Sequence, residues 1–131
     1  MSYVVSLDTT FLVDLRRGDS AAVAKAKALE EAGEPRCVTA PVAAELLIGA
    51  NRFGGASLER TRLLLGSLLL LETDMESCEE AGRIGASLIA RGETMSGVDL
   101  LVAAISKRHG QRLLTRDRSF VRVPGLTVET Y

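Results

Sequence analysis

The sequence predicts an α/β fold, a mainly parallel sheet of four to five strands flanked by helices. Three observations lead there. Short apolar runs bounded by turn residues alternate with longer stretches of helical character from one end of the chain to the other. The length of 131 residues fits one domain, here 1–131, with no linker-like stretch interrupting it. Apolar residues make up 47%, enough for a single core.

The elements follow in order. Tyr3 to Leu7 reads as the first strand, and Thr9 to Arg17 as a short helix ended by Gly18. Asp19-Ser20 caps a helix over Ala21 to Ala32, stopped by Gly33. Arg36 to Thr39 is a strand. Pro41 suits the first turn of a helix continuing over Val42 to Ala50, since its missing N–H is not needed there. Asn51 to Gly55 reads as a loop, Ser57 to Gly66 as a helix, and Leu68 to Leu71 as a buried strand. Asp74 caps a helix from Met75 to Arg91 whose apolar face is Ala81, Ile84, Leu88 and Ala90. Ser96-Gly97 opens a helix through Lys107, closed by His109-Gly110. Arg112 to Thr115 is the fourth strand and Leu126 to Glu129 a fifth.

Composition excludes several classes. A net charge of −1 gives no global basic footprint for non-specific nucleic-acid binding, although 13 of the 16 basic residues are arginine, which suits local phosphate contacts. No secretory signal is visible, and the longest apolar run, Leu63 to Leu71, is too short to span a bilayer, so the expected location is cytoplasmic. Cys37 and Cys78 are too far apart for a zinc motif and read as two buried, reduced thiols.

Function is signalled by charge placement. Asp8 is the sole charge from Tyr3 to Val13, Glu45 the sole charge from Cys37 to Ala50, and Asp99 the sole charge from Thr94 to Ser106. An ionised carboxylate in apolar surroundings calls for a partner, and none of the three stretches holds a lysine or arginine. Asp117 follows the fourth strand, and ligands of parallel sheets bind beyond the carboxyl ends of strands. Ordinary local roles exist for each acid. Asp8 can cap the helix after it, Asp99 completes a capping box with Ser96, and Asp117 sits in an arginine-flanked turn; Glu45 gains least from its helix. Taken together, three or four acids without histidine suit a hard cation such as Mg2+ or Mn2+ rather than zinc. The one histidine, His109, fits a helix C-cap. Thr9, Thr10 and Thr115 can orient the carboxylates, and Arg116 and Arg118 can steer a phosphate towards them.

These residues resemble a family. Leu7-Asp8-Thr9-Thr10 after an opening strand, the lone Glu45, Val98-Asp99-Leu100-Leu101-Val102-Ala103-Ala104, and Leu114-Thr115-Arg116-Asp117 with Phe120 are similar to the PIN-domain ribonucleases, above all the VapC-type toxins of toxin-antitoxin pairs. The resemblance covers essentially the whole chain and includes Val123-Pro124-Gly125-Leu126. It implies a three-layer α/β sandwich with Asp8, Glu45, Asp99 and Asp117 as an acidic site for Mg2+ or Mn2+. The implied activity is endonucleolytic cleavage of RNA, with inhibition by a cognate VapB-type antitoxin and a homodimeric state. Two departures stand out: Thr10 where relatives often carry Asn or Ser, and Ser119 where many have a further acid.

In the expected chemistry Asp8 and Asp99 are the main metal ligands, while Glu45 and Asp117 hold a second cation or position the attacking water. Three alternatives compete. A phosphatase with Asp8 as nucleophile wants a second Asp where Thr10 stands. A phospho-receiver domain wants an adjacent acidic pair and a late lysine, both missing here. A catalytically silent PIN-like module would act by binding alone. Leu63 to Leu71, the helix after Ser20 and Leu46-Leu47-Ile48 supply apolar surface, most of it expected in the core and the rest under an antitoxin or second protomer.

Overall fold

A computed structural model describes residues 5–131. The elements run β1 (Val5–Leu7), α1 (Thr9–Arg16), α2 (Ser20–Glu31), β2 (Arg36–Thr39), α3 (Ala40–Phe53), α4 (Gly55–Gly66), β3 (Leu69–Leu71), α5 (Met75–Ala90), α6 (Gly97–Arg108), β4 (Arg112–Leu114), a 3-10 turn (Arg118–Arg122) and β5 (Val128–Glu129). The strands form one five-stranded sheet in the order β3-β2-β1-β4-β5, and every pairing is parallel. This is the expected α/β class. Tyr3 and Val4, assigned above to the first strand, lie outside the described residues.

The chain first builds outward from β1 through β2 to β3, then returns to the other side of β1 for β4 and β5. The order of strands therefore reverses at β1, and the crevice outside the carboxyl ends of β1 and β4 is the switch point at which such sheets place ligands. All three residues of β1 are buried, as a strand covered on both faces requires. Its central Ser6 is satisfied inside the sheet, donating to Gln111 Oε1 at 2.5 Å, while Gln111 Nε2 donates to Cys37 Sγ at 3.6 Å. Phe11, Leu12, Leu88, Leu113, Leu114 and Phe120 fill the core around it.

Local signals fixed most of the boundaries. Asp19 accepts from Ala22 N at 3.0 Å, Asp74 from Ser77 N at 2.8 Å and Ser96 from Asp99 N at 3.1 Å, so three helices begin at side-chain caps. Arg112 ties β4 to its surroundings, pairing with Glu34 and, at 2.8 Å, with Glu129 of β5.

Several expectations are corrected. Asn51 to Phe53 belong to α3, the Asn51 amide donating to Leu47 O at 2.8 Å; the break falls at Gly54 and Gly55, whose φ values of 65° and 53° suit glycine. Strand β3 is an exposed edge rather than a buried strand, because among the described residues no strand pairs beyond it. Ala90 is exposed, the face of α5 being carried by Ala81, Ile84 and Leu88. Cys37 is buried but Cys78 is exposed. Part of the apolar surface assigned to the core is outside, with Leu63, Ile48, Leu69 and Leu70 all exposed; Phe53, read as a loop residue, is exposed as well. No helix among the described residues is long and apolar enough to cross a membrane.

Phe120 is fully buried and anchors the 3-10 turn that follows Asp117. Replacing it with alanine should cost about 3–5 kcal/mol, since a large ring leaves a cavity that its neighbours only partly fill. Urea denaturation of Phe120→Ala checks this, and a cost below about 1 kcal/mol would show that the turn is not held by the core.

Candidate active site

Asp8 stands directly after β1, at the N-cap position of α1, with its amide donating to Leu114 O at 3.0 Å. Its side chain makes no bond of good capping geometry to the helix, although the Thr9 amide is near enough to favour its ionised form, so capping alone does not account for it. The residue is only 5% exposed. Its Oδ2 accepts from Thr115 Oγ1 at 2.6 Å, with Thr10 Oγ1 3.4 Å away. Thr10 and Thr115 are themselves 3.2 Å apart. A hydroxyl has one proton, and that of Thr115 serves Asp8 in the shorter contact, so Thr10 is the donor of the threonine pair. Thr10 Oγ1 in turn accepts from Arg116 N at 3.1 Å and Thr115 Oγ1 from Asp117 N at 2.9 Å. The donors run in one direction, from the chain after β4 through two hydroxyls to one oxygen of Asp8.

The other acids surround this mouth. Asp99 lies in the first turn of α6, its amide held by Ser96. Asp117 opens the 3-10 turn, its Oδ1 accepting from Ser119 N at 2.9 Å, so Ser119 acts through its backbone where a further acid was the expected pattern. Glu45 projects from α3 and accepts from Thr9 Oγ1 at 2.8 Å. Burial pushes the Asp8 carboxyl above its ordinary range; the Thr115 bond opposes this, and the charges of Asp99 and Asp117 push it up further. Asp8, Asp99 and Asp117 thus share one field, and Glu45 joins the site through Thr9 on the residue next to Asp8.

The donor set suits a hard divalent cation. It is all oxygen, and no cation figures among the influences on Asp8. Among the described residues, however, no three histidine, cysteine, aspartate or glutamate side chains stand close enough to enclose one ion.

The two arginines expected to meet phosphate differ. Arg116 is committed elsewhere: it pairs with Asp14 at 3.3 Å and Asp19 at 3.1 Å, and lies 4.3 Å over the Tyr131 ring. Tyr131 donates to Asp14 Oδ2 at 2.6 Å and packs edge-on against Phe11. Burial first, then the Asp14 acceptor, push its phenol up to about 12, so it remains a proton donor. Asp14 and Tyr131 were not singled out in the sequence, and Asp19 only as a helix cap, since nothing there links the three. Arg118 is exposed and has no ion-pair partner among the described residues. His109 stands at the C-cap of α6.

The fold has relatives among known proteins. A family model described as PIN domain matches residues 5–126. The fold is similar to that of a chain in VapBC2 from Rickettsia felis bound to a DNA fragment from its promoter, with TM-score 0.83, 19% identity and 98% of each chain covered. It is similar to one in VapBC-1 from nontypeable Haemophilus influenzae, with TM-score 0.82, 21% identity and 97% of each chain covered. A chain of FitAcB from Neisseria gonorrhoeae matches at TM-score 0.76 and 24% identity over 95% of each chain. No curated protein matches the sequence.

The raised proton affinity of Asp8 has a definite sign for stability. The folded state binds its proton more tightly than the unfolded chain, whose ordinary value is 3.8, so the contribution is fully present below that value and is lost as pH rises through the folded value. At pH 7, well above the unfolded value, burying this carboxyl therefore costs the fold stability. Asp8→Asn should stabilise the protein by about 0.5–2 kcal/mol at pH 7 and by nothing measurable near pH 3. Chemical denaturation at the two pH values measures both, and a destabilised variant at pH 7 would overturn this reading.

Proposed function

Because the chain belongs to the PIN domain family, matching its model over residues 5–126, we propose that it is a metal-dependent endoribonuclease, a VapC-type toxin restrained by a VapB-type antitoxin. The observation that carries the reading is Asp8: a nearly buried carboxylate, one oxygen fixed by Thr115, in the field of Asp99 and Asp117 at the reversal point of the sheet. Burial of repelling carboxylates costs stability, and a site that spends stability in this way is a functional candidate.

Asp8 and Asp99 would hold Mg2+ or Mn2+, with Asp117 and Glu45 completing the acidic rim. When bound, the cation supplies Lewis-acid charge at the scissile phosphodiester and lowers the pKa of the attacking water. The remaining work falls to the chain. Thr115 and Thr10 fix Oδ2 of Asp8, leaving Oδ1 free of them. Thr9 holds Glu45 by one oxygen, and the other is the candidate proton acceptor for the water. A histidine acid-base pair is not an option, because His109 is the only histidine.

The partner reading rests on surface. Phe53, Leu63, Ile48, Leu69 and Leu70 are exposed on α3, α4 and β3, and such patches mark interfaces. Neighbours in fold include, by their descriptions, a toxin-antitoxin complex from Klebsiella pneumoniae and a member of the VapBC family of toxin-antitoxin systems from Mycobacterium tuberculosis. An antitoxin covering part of this surface, and a second protomer covering the rest, are the proposed occupants of a cytoplasmic protein. The same surface favours the second reading, a catalytically silent module that works by binding alone.

Turnover separates the two. Purified protein should cleave a labelled pool of single-stranded and tRNA-like RNA in manganese, and cleavage should vanish in EDTA and in Asp99→Asn. Thr115→Val, which removes the hydroxyl on Asp8, should weaken metal dependence about 10- to 100-fold, read from the manganese concentration giving half-maximal rate. Cleavage persisting in EDTA would sink the metal nuclease, and inert but folded protein would leave the binding module standing.

A further inference from the structure

We propose that the groove beyond the carboxyl ends of β4 and β5 is a nucleotide subsite, in which Arg118 takes a phosphate of single-stranded RNA next to the bond being cut; this rests on the nuclease reading above. The groove has a volume of about 410 Å3 and is lined by Thr115, Asp117, Arg118, Val121, Val128 and Thr130. That is large enough for a small organic group, such pockets spanning roughly 300–1,000 Å3. Thr115, whose hydroxyl bonds Asp8, and Asp117 both line it, so a group in the groove lies against the Asp117 carboxylate at the edge of the acidic mouth.

The chemistry of the wall selects the ligand. RNA approaching a mouth of acids is repelled, and needs a cation nearby that is not already spent. Arg116 also lines the groove but is held by Asp14, Asp19 and Tyr131. Arg118 has no ion-pair partner among the described residues and is exposed. Its position is set by its neighbours: Asp117 accepts from Ser119 N across it, and Phe120 is fully buried two residues on. A cation placed in advance binds phosphate without the cost of ordering a loop. Val121, 68% exposed, and half-buried Val128 give an apolar surface for the ribose or base beside that phosphate.

A second cleft makes the contrast. About 290 Å3 between α5 and α6 is lined by Glu76, Glu79, Glu80, Arg83, Lys107 and Arg108. There every cation is paired, Arg83 and Lys107 with Glu80 at 3.0 Å each, and Arg108 with Asp74 and Glu76. That cleft offers a phosphate nothing uncommitted, whereas the groove at Arg118 does.

The test is fluorescence anisotropy of a fluorescein-labelled random five-nucleotide RNA titrated with the full chain in EDTA, where the proposed nuclease does not turn over. Arg118→Ala should raise Kd about tenfold and reduce the slope of log affinity against log salt by about 0.7, the value for one phosphate of a single strand. Val121→Asp should weaken binding similarly, while Arg52→Ala, at the far end of α3, should stay within about twofold of the unaltered protein. In manganese, Arg118→Ala should raise KM and leave kcat within about twofold, because it removes binding shared by ground and transition states. Thermal midpoints establish that each variant is folded. RNA binding unchanged in both Arg118→Ala and Val121→Asp, with cleavage intact, overturns the subsite alone, as does loss of a protein partner with no loss of RNA. Failure of the unaltered chain to bind or cleave RNA overturns the nuclease reading and the subsite with it.

Discussion

The burial of the Asp8 carboxyl, made costlier by the charges of Asp99 and Asp117, is the constraint to which the rest of the mouth answers. A carboxylate at the end of a buried central strand, facing two others, would ordinarily attract an arginine and close into an internal salt bridge. One is close by: the Arg116 amide bonds Thr10 of the Asp8 network. Yet its guanidinium is drawn off to Asp14 and Asp19 and stacked on Tyr131. The outer carboxylates absorb the arginine that would have quenched the inner ones. What reaches Asp8 instead is the neutral Thr115 hydroxyl, itself held by Thr10, which orients one oxygen without cancelling its charge.

The fold carries that unfavourable field because the supports are local and rigid. Strand β1 is buried throughout, and Phe11 and Leu12 anchor the first turns of α1 in the core, so Asp8 cannot retreat by shifting the backbone. Asp99 sits in the first turn of α6, where the helix dipole favours a negative charge by about 0.3–1 kcal/mol. Asp117 is held by the turn that Phe120 pins down. The acids come from the ends of β1 and β4 and the start of α6, elements far apart in sequence, and the parallel sheet brings them to one side.

The elements were legible where the signal was local. Caps at Asp19, Asp74 and Ser96 and the strand Arg36 to Thr39 could be read because each depends on neighbours a few residues away. The lone acids were legible for a related reason, a charge within an apolar run being visible without any fold. Tertiary choices were not. That Leu69 and Leu70 face outward depends on β3 being the edge of the sheet, and no property of a leucine run distinguishes an edge from a centre. Whether Arg116 or Arg118 is free depends on Asp14, Asp19 and Tyr131, residues about a hundred positions away or at the opposite end of the chain from α1. The helix through Phe53 was hidden because Asn51 suggests a loop until its amide is seen bonding back one turn to Leu47.

The exposed leucines and phenylalanine also bear on the mouth. Helix α3 starts at the carboxyl end of β2, beside the acids, and carries Glu45 on its solvent side. Ile48 is three residues further on, so it shares that face at a separation of roughly 5–6 Å between Cβ atoms. Phe53 ends the same helix. Five residues on from Ile48, Phe53 lies about 140° further round the helix, so it is Ile48 that shares the face of Glu45, and a partner bound over Ile48 would lie within one turn of that carboxylate. Restraint of the site and recognition of the partner would then use one helix, with no conformational change required to connect them.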